Sequence, residues 1–441
     1  MSKFIDKIKE FFTPPEPLKE GFYHSRIDDP DSDEYVRLHL RINNNQEGTL
    51  IVNASKVVHT NRTATEIAKF MIDGLNDEQI IKKLKSRFAA REYVIRKDYE
   101  QFKDFLNRLI KDEPDLENTG FHMSYVPPYD VESEAPYRVD LALTYRCNNN
   151  CIHCYVERPK DYPELSTEDW KKIIDILWEK TVPQVTFTGG EATLREDLAE
   201  LICHAEDRGI VTGLVTNGRK LSDSLYLQSL VKAGLDHIQI TLESSNKEIH
   251  NKMTQCDSYD ETINAIKNCV NEGIPVITNT TLTYHNINTI KDTVNLLKDL
   301  GLKTFACNAI IEAGGGVDNA FALKIEDLVK VVDEIQMLAD ELGLNFIWYS
   351  PTKYCELNPV DMGVGFKQCT AGKHNLCIEP DGSVIPCQSY FCSLGNILTD
   401  DWMVIWQHDV LQKLRNHDYT TEECKTCESL PACGGGCPLA K

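Results

Sequence analysis

No run of apolar residues in this 441-residue chain approaches the roughly 18 to 20 needed to cross a bilayer, and the opening MSKFIDKIKEFF alternates charged with apolar side chains. That pattern speaks against stable membrane insertion and against export, and a cytoplasmic protein is expected. An excess of positive charge is lacking as well. Lys and Arg number 47 against 68 Asp and Glu, a net charge of −21. Binding to a phosphate backbone is driven by clustered Lys and Arg, so no nucleic-acid partner is expected. Low-complexity tracts and tandem repeats are absent, apart from an alternation of strand and helix patterns described below. The chain is also far longer than a small disulfide-stapled scaffold, and its 16 cysteines therefore read as reduced thiols that hold metal.

What is present is the balance of a globular protein, with 26% charged and 41% hydrophobic residues over a length that predicts two to four domains. Residues 1–34 read as an amphipathic helix, carrying Phe4, Ile8 and Phe11 on one side, and a linker begun by TPPEP. Residues 35–112 hold a period-two run (Val36, Leu38, Leu40, Ile42), then TLIVN, then three stretches with apolar residues at helical spacing. A hairpin with three short helices is a winged-helix-like module. Thr63 with Glu66 suggests a capping box and Asn76 an N-cap. Residues 113–135, rich in Pro and acids, read as a linker.

From residue 136 to 348 strand-like and helix-like segments alternate, beginning VDLALT and STEDWKKIIDILWEK, and six strands are each followed by a helix. That order predicts an α/β fold whose parallel sheet has right-handed crossovers, open or closed into a full or partial barrel, with ligands at the C-terminal strand ends. Directly after the first strand comes CNNNCIHC, placing Cys147, Cys151 and Cys154 on that rim. A cubane iron–sulfur cluster takes four thiolates, so three leave one iron open to a substrate or cofactor. A catalytic zinc with three cysteines and a solvent position satisfies the same spacing. TFTGGE at the second strand end lets the backbone approach a ligand closely while Glu191 offers acceptors, although an ordinary strand-to-helix turn has the same residues.

Together, C-x3-C-x2-C after the first strand and GGE after the second resemble the radical S-adenosylmethionine superfamily. The resemblance implies a partial (β/α)6 TIM-like barrel, a [4Fe-4S] cluster on Cys147, Cys151 and Cys154, and S-adenosylmethionine on the open iron. It places Gly189, Gly190 and Glu191 at the methionine amino group. Thr216 in VTNG and Ser244 in TLESS match the polar contacts to the methionyl carboxylate and ribose, although each hydroxyl could equally satisfy a turn amide. ACNAIIEAGGG stands where the family's adenine-contacting strand is expected.

Residues 349–441 contain Cys369 and Cys387, separated by x12-G-x4, and Cys424, Cys427, Cys433 and Cys437 spaced x2, x5, x3. A zinc ribbon would use thiols in this way. The pattern resembles the SPASM extension, which carries one or two auxiliary iron–sulfur clusters. That resemblance implies one cluster on Cys369, Cys387 and Cys437 and a second on Cys424, Cys427 and Cys433. A further downstream cysteine is usual in the family, whereas this sequence stops four residues after Cys437. The second cluster is therefore expected to keep an open iron, to take a non-cysteine ligand, or to borrow Cys355, Cys377 or Cys392, and the fourth ligand of the first cluster is left unassigned. Cys203, Cys256, Cys269 and Cys307 are expected to be free.

The N-terminal hairpin and helices resemble the recognition domain of ribosomal-peptide maturation enzymes, which takes a leader peptide as an added strand. The expected activity is thus hydrogen abstraction from a leader-bearing precursor peptide, leaving a thioether or C–C crosslink, with electrons from a donor such as flavodoxin or ferredoxin. Maturation of a folded enzyme or of a small redox cofactor is the alternative, and a zinc-bound scaffold is the non-enzymatic one.

Overall fold

The computed structural model describes residues 16–28, 35–53, 56–111, 135–317 and 319–440. Contacts divide the chain into two compact units, Met1–Glu132 and Ser133–Lys441. The helix expected over residues 1–12, and all but the last residue of the linker expected over 113–135, lie outside the described residues.

In the first unit β1 (Gly21–Asp28), β2 (Tyr35–Ile42), β3 (Gly48–Val52) and β4 (Lys56–Thr60) form an antiparallel meander in chain order. The expected hairpin is its middle, β2 against β3, with Leu40 opposite Leu50. β1 falls among residues expected to be linker. GFYHSRID lacks a clean apolar alternation, and its extended form comes from pairing with all eight residues of β2. Three helices follow: α1 (Arg62–Ile72), α2 (Asp77–Arg87) and α3 (Glu92–Ile110). Their apolar stripes, among them Ile67, Leu84 and Phe102, close over Leu38, Leu40 and Leu50 of the sheet.

The caps came out differently from one another. Asn76 forms a full capping box with Gln79 at the start of α2, both bonds at 3.0 Å. The box expected from Thr63 and Glu66 does not form. Asn61 caps α1 instead, its Oδ1 accepting from the Ala64 amide at 3.0 Å, and the buried Glu66 is held by Arg87 and Arg62.

The second unit is built on β5 (Arg138–Thr144), β6 (Gln184–Gly189), β7 (Val211–Thr216), β8 (His237–Thr241), β9 (Val276–Leu282), β10 (Thr304–Ala309) and β11 (Asn345–Trp348). These lie side by side in chain order and all parallel. The connecting helices are α4 (Thr167–Glu179), α5 (Leu198–Asp207), α6 (Ser224–Lys232), α7 (Lys247–Thr254), α8 (Tyr259–Glu272), α9 (Ile290–Asp299) and α10 (Ile325–Leu342). The six strand–helix units read from the sequence are all present. Two short strands extend the sheet beyond β5: β12 (Asn375–Ile378) pairs parallel to it, and β13 (Val384–Ile385) pairs antiparallel to β12. The resulting nine-stranded sheet ends at β11 on one side and β13 on the other, a partial barrel.

Alternation along β5 sorts its side chains. Val139, Leu141 and Leu143 face Trp170, Ile173, Ile174 and Leu177 of α4, which recur at i, i+3, i+4 and i+7. Each side chain so withdrawn from water is worth roughly 1.5–3 kcal/mol. The other face is polar although buried, with Asp140 and Thr144 on β5 and Thr186 and Thr188 on β6. There Asn279 of β9 donates to Asn308 of β10 at 2.8 Å. A buried polar face across parallel strands suits a polar ligand better than a dry core.

Candidate functional site

The loop that follows β5 carries Cys147, Cys151 and Cys154, and neighbouring strand ends hold it through its backbone. Asn150 and Ile152 donate to the carbonyls of Thr254 and Met253 at the end of α7, each at 3.0 Å. Arg219, beyond β7, donates through Nη1 to the Asn148 carbonyl at 2.6 Å and pairs with Glu261. Its Nη1 also lies 3.1 Å from the Cys256 sulfur. From beyond β10, the Gly315 amide donates to the Cys154 carbonyl at 2.7 Å. A Cβ on Gly314 would sit 2.5 Å from the Cys154 carbonyl oxygen, and one on Gly315 would sit 2.7 Å from that of Ile152. The GGG expected near a nucleoside thus packs on the cysteine loop itself, and its lack of side chains permits that approach.

The GGE turn after β6 is placed by the same close approach. Gly189 has φ +138°, and a Cβ there would overlap the Thr144 carbonyl oxygen, while one on Gly190 would lie 2.5 Å from the Arg146 carbonyl oxygen. The Gly190 and Glu191 amides donate to Thr144 and Arg146 at 2.7 and 2.9 Å. Glu191 is buried, and both its oxygens are engaged inside the chain. Oε1 accepts from the Thr193 amide (3.1 Å), the Thr193 hydroxyl (2.7 Å) and the Thr216 hydroxyl (2.7 Å), and Oε2 accepts from the Asn217 amide (2.8 Å). A carboxylate has about four acceptor positions, so an ammonium at Glu191 would share an oxygen already in use. Thr216 also accepts from the Gly218 amide at 3.0 Å. Ser244 accepts from the Asn246 amide at 3.0 Å and meets the Thr289 hydroxyl at 2.8 Å. Both hydroxyls therefore organise turns at strand ends.

One pair at this rim was not read from the sequence. His153, inside the cysteine motif, places Nε2 3.0 Å from Oε1 of the fully buried Glu243, just past β8. Glu243 Oε2 accepts from the Thr281 amide at 3.0 Å, and its own amide donates to His250 Nδ1 at 3.2 Å. Burial alone would lower the His153 pKa, but the charge and hydrogen bond of Glu243 outweigh it and the net shift is upward. The available signal was weak: a histidine between two cysteines and an acid beside Ser244.

The three thiols share one field. Burial raises Cys147, with Cys154 adding to it, and burial raises Cys151, to which Glu243, Cys154 and Cys147 add. Three thiols on one loop pinned by four neighbouring segments, with Cys154 acting on both of the others, fit a cluster that the chain holds from one side. Iron on such thiols stabilises the thiolate that burial disfavours.

The C-terminal thiols lie in a cysteine-rich segment with short-range links between several of them. Cys369 is pushed up to about 11 by burial, with Cys437 contributing, and Cys387 up to about 12 by burial, with Cys369 and Cys437 contributing. Cys437 thus acts electrostatically on both Cys369 and Cys387. Gly382 between the first two has φ +88° and closes a turn in which its amide donates to the Glu379 carbonyl at 2.9 Å. Cys424 and Cys427 share a turn, the Cys427 amide donating to the Cys424 carbonyl at 3.0 Å. The Cys433 sulfur accepts from the Tyr354 amide at 3.3 Å. Cys377 lies in β12, fully buried in a small apolar cluster with Ala142, Tyr145 and Ile385. Cys269 and Cys307 are buried in the helix-facing core and Cys203 is exposed. Among the described residues no three His, Cys, Asp or Glu side chains converge on a single-ion position; a cubane cluster, larger than one ion, holds its ligands further apart.

β12 ties the cysteine-rich segment to the rim. Glu379, just past its end, is buried and accepts from Arg158 Nε at 2.8 Å and from the Tyr145 hydroxyl at 3.1 Å. Among the described residues no helix is long and apolar enough to cross a membrane.

Comparison with known proteins matches residues 141–300 to the Radical SAM superfamily and residues 369–428 to SPASM, an iron–sulfur cluster-binding domain. The chain is similar to the PqqA peptide cyclase of Bradyrhizobium diazoefficiens, 28% identical over 68% of this chain and 81% of that protein. It is also similar to the mycofactocin maturase MftC of Mycolicibacterium smegmatis, 28% identical over 72% of this chain and 81% of that protein. Among solved structures, Streptococcus suis SuiB bound to its precursor peptide SuiA superposes with a TM-score of 0.65 at 16% identity, covering 94% of this chain and 95% of that one. The anSMEcpe structure with bound AdoMet gives 0.55 at 20% identity, over 68% of this chain and 89% of that one.

Proposed function

We propose that this enzyme, which carries a radical S-adenosylmethionine domain followed by a SPASM domain, matures a ribosomally made, leader-bearing peptide by hydrogen abstraction, forming a thioether or C–C crosslink. When bound, the first cluster and S-adenosylmethionine supply the chemistry that removes an unactivated hydrogen atom. On this reading Cys147, Cys151 and Cys154 hold that cluster from one side. Arg219, Gly315 and the His153–Glu243 pair keep the loop in place. Gly189 and Gly190 present a bare backbone edge to the methionine end, while Glu191 fixes the turns after β6 and β7 relative to each other. Thr216 and Ser244 are the expected side-chain contacts to the cofactor. Cys369, Cys387 and Cys437 would hold one auxiliary cluster, and Cys424, Cys427 and Cys433 a second. The electron donor is expected to be a flavodoxin or ferredoxin.

The observation that carries the substrate class is the likeness in fold, across 94% of the chain, to a protein solved with its precursor peptide. The names of the two sequence relatives, a peptide cyclase and a maturase, support the same class. The four-stranded sheet of the first unit offers β1 and β4 as outer strands to which an extended leader can add. Hydrogen exchange on the full chain tests this with candidate leader-bearing peptides, sought among small reading frames near its gene. Slowed exchange confined to β1 or β4, and lost when the leader is removed from the peptide, is expected. Binding of the leaderless peptide with equal affinity would contradict it and favour maturation of another kind of substrate.

A further inference from the structure

Residues 352–355 run against the C-terminal cysteine loop. The Tyr354 amide donates to the Cys433 sulfur at 3.3 Å, and that sulfur lies 3.9 Å from the Thr352 carbonyl oxygen. Gly436 makes room for the segment: a Cβ there would stand 3.2 Å from the Lys353 amide nitrogen. Cys355 follows Tyr354 directly, its Cα about 3.8 Å further along the chain. Lys353 on the other side of Tyr354 pairs with Glu356 at 3.1 Å. The contact of residues 352–354 with Cys433 and its loop therefore brings Cys355, the next residue, to the group formed by Cys424, Cys427 and Cys433.

We infer that Cys355 is the fourth thiolate of the second auxiliary cluster, completing a four-cysteine set with Cys424, Cys427 and Cys433; this rests on the reading of that run as cluster ligands. The geometry gives the ligand a direction of approach as well. It arrives on the irregular segment that follows β11, so the cluster would bridge the end of the barrel and the cysteine-rich segment. Cys377 is a poorer candidate, since it is held in β12 among apolar side chains. With four thiolates in place, that cluster is a closed electron carrier and not a site that binds substrate sulfur.

Differential alkylation tests the assignment on the full chain. The anaerobically loaded enzyme and the same enzyme after iron chelation are treated with iodoacetamide and mapped by mass spectrometry. Cys355 is exposed without a cluster, as is Cys203 on α5. Cys355 is expected to be modified after chelation and protected when loaded, together with Cys424, Cys427 and Cys433, while Cys203 is modified in both. Modification of Cys355 in the loaded enzyme while the other three are protected would overturn the inference. If all four are modified in the loaded enzyme, the reading of that run as cluster ligands falls along with it.

Cys355→Ala gives a second readout in a background where Cys147, Cys151 and Cys154 are Ala, so that only auxiliary iron remains. Loss of up to about four irons per chain, or an oxidised three-iron electron paramagnetic resonance signal, is expected for a cluster deprived of one of its four ligands. Cys203→Ala in the same background should leave iron and spectrum unchanged. An unchanged iron content and spectrum in the Cys355→Ala chain would contradict the assignment.

Discussion

The Gly315 amide donates to the Cys154 carbonyl oxygen at 2.7 Å, joining the loop after β10 to the cysteine loop after β5 across the sheet rim. The contact makes the position of the thiols depend on a glycine far away in sequence. Gly315→Ala would put a Cβ 2.7 Å from the Ile152 carbonyl oxygen, so one loop must move. Iron is expected to fall by about one four-iron cluster per chain, with the auxiliary iron retained. Gly273→Ala is the comparison. Its φ of +76° costs about 1–2 kcal/mol of backbone strain, but nothing lies within 4 Å of the new Cβ and cluster content should not change. Iron and sulfide analysis of both variants checks the difference.

Glu243 is expected to matter for stability more than its distance from the thiols in sequence suggests. Removing it leaves the partly buried His153 without its partner and the Thr281 amide without an acceptor. Breaking a buried pair by deleting one member costs about 3–5 kcal/mol, so Glu243→Ala should lower the denaturant midpoint markedly, and Glu243→Gln less. Equal midpoints for wild type and Glu243→Ala would show that the pair contributes nothing.

A pH dependence follows from His250. Burial holds its pKa down at about 4, against 6.5 for a free imidazole. The unfolded chain therefore takes up the proton first as pH falls, and stability drops between about pH 6.5 and 4. At pH 5 the group's share of that loss is about 2 kcal/mol relative to neutral pH. His250→Asn should flatten this part of the unfolding-versus-pH curve; an unaltered slope would refute the assignment.

Legibility from the sequence followed the range of the interaction. The cysteine runs stood out because a cluster would draw several ligands from one short segment, and the six strand–helix units were readable because each carries its own periodicity. Asn76 was readable as a cap because capping is local. Thr63 and Glu66 had the same local signature, yet Glu66 is taken by Arg87, 21 residues away. The His153–Glu243 pair joins different strand ends, and no spacing rule reaches that far. β12 was missed because Asn375–Ile378 is only four residues long and becomes a strand by pairing with β5. Glu191, read as an acceptor for a ligand, also accepts from Thr193, Thr216 and Asn217 within the chain. Sequence marks a carboxylate near a site, but not which donors reach it first.

The most direct test compares the wild-type enzyme with the variant carrying Cys147→Ala, Cys151→Ala and Cys154→Ala, both reduced anaerobically with S-adenosylmethionine and assayed for 5′-deoxyadenosine and methionine. The wild type is predicted to form both products. The variant is predicted to form neither while keeping the iron bound by its C-terminal cysteines. Retained 5′-deoxyadenosine formation by the variant would contradict the account.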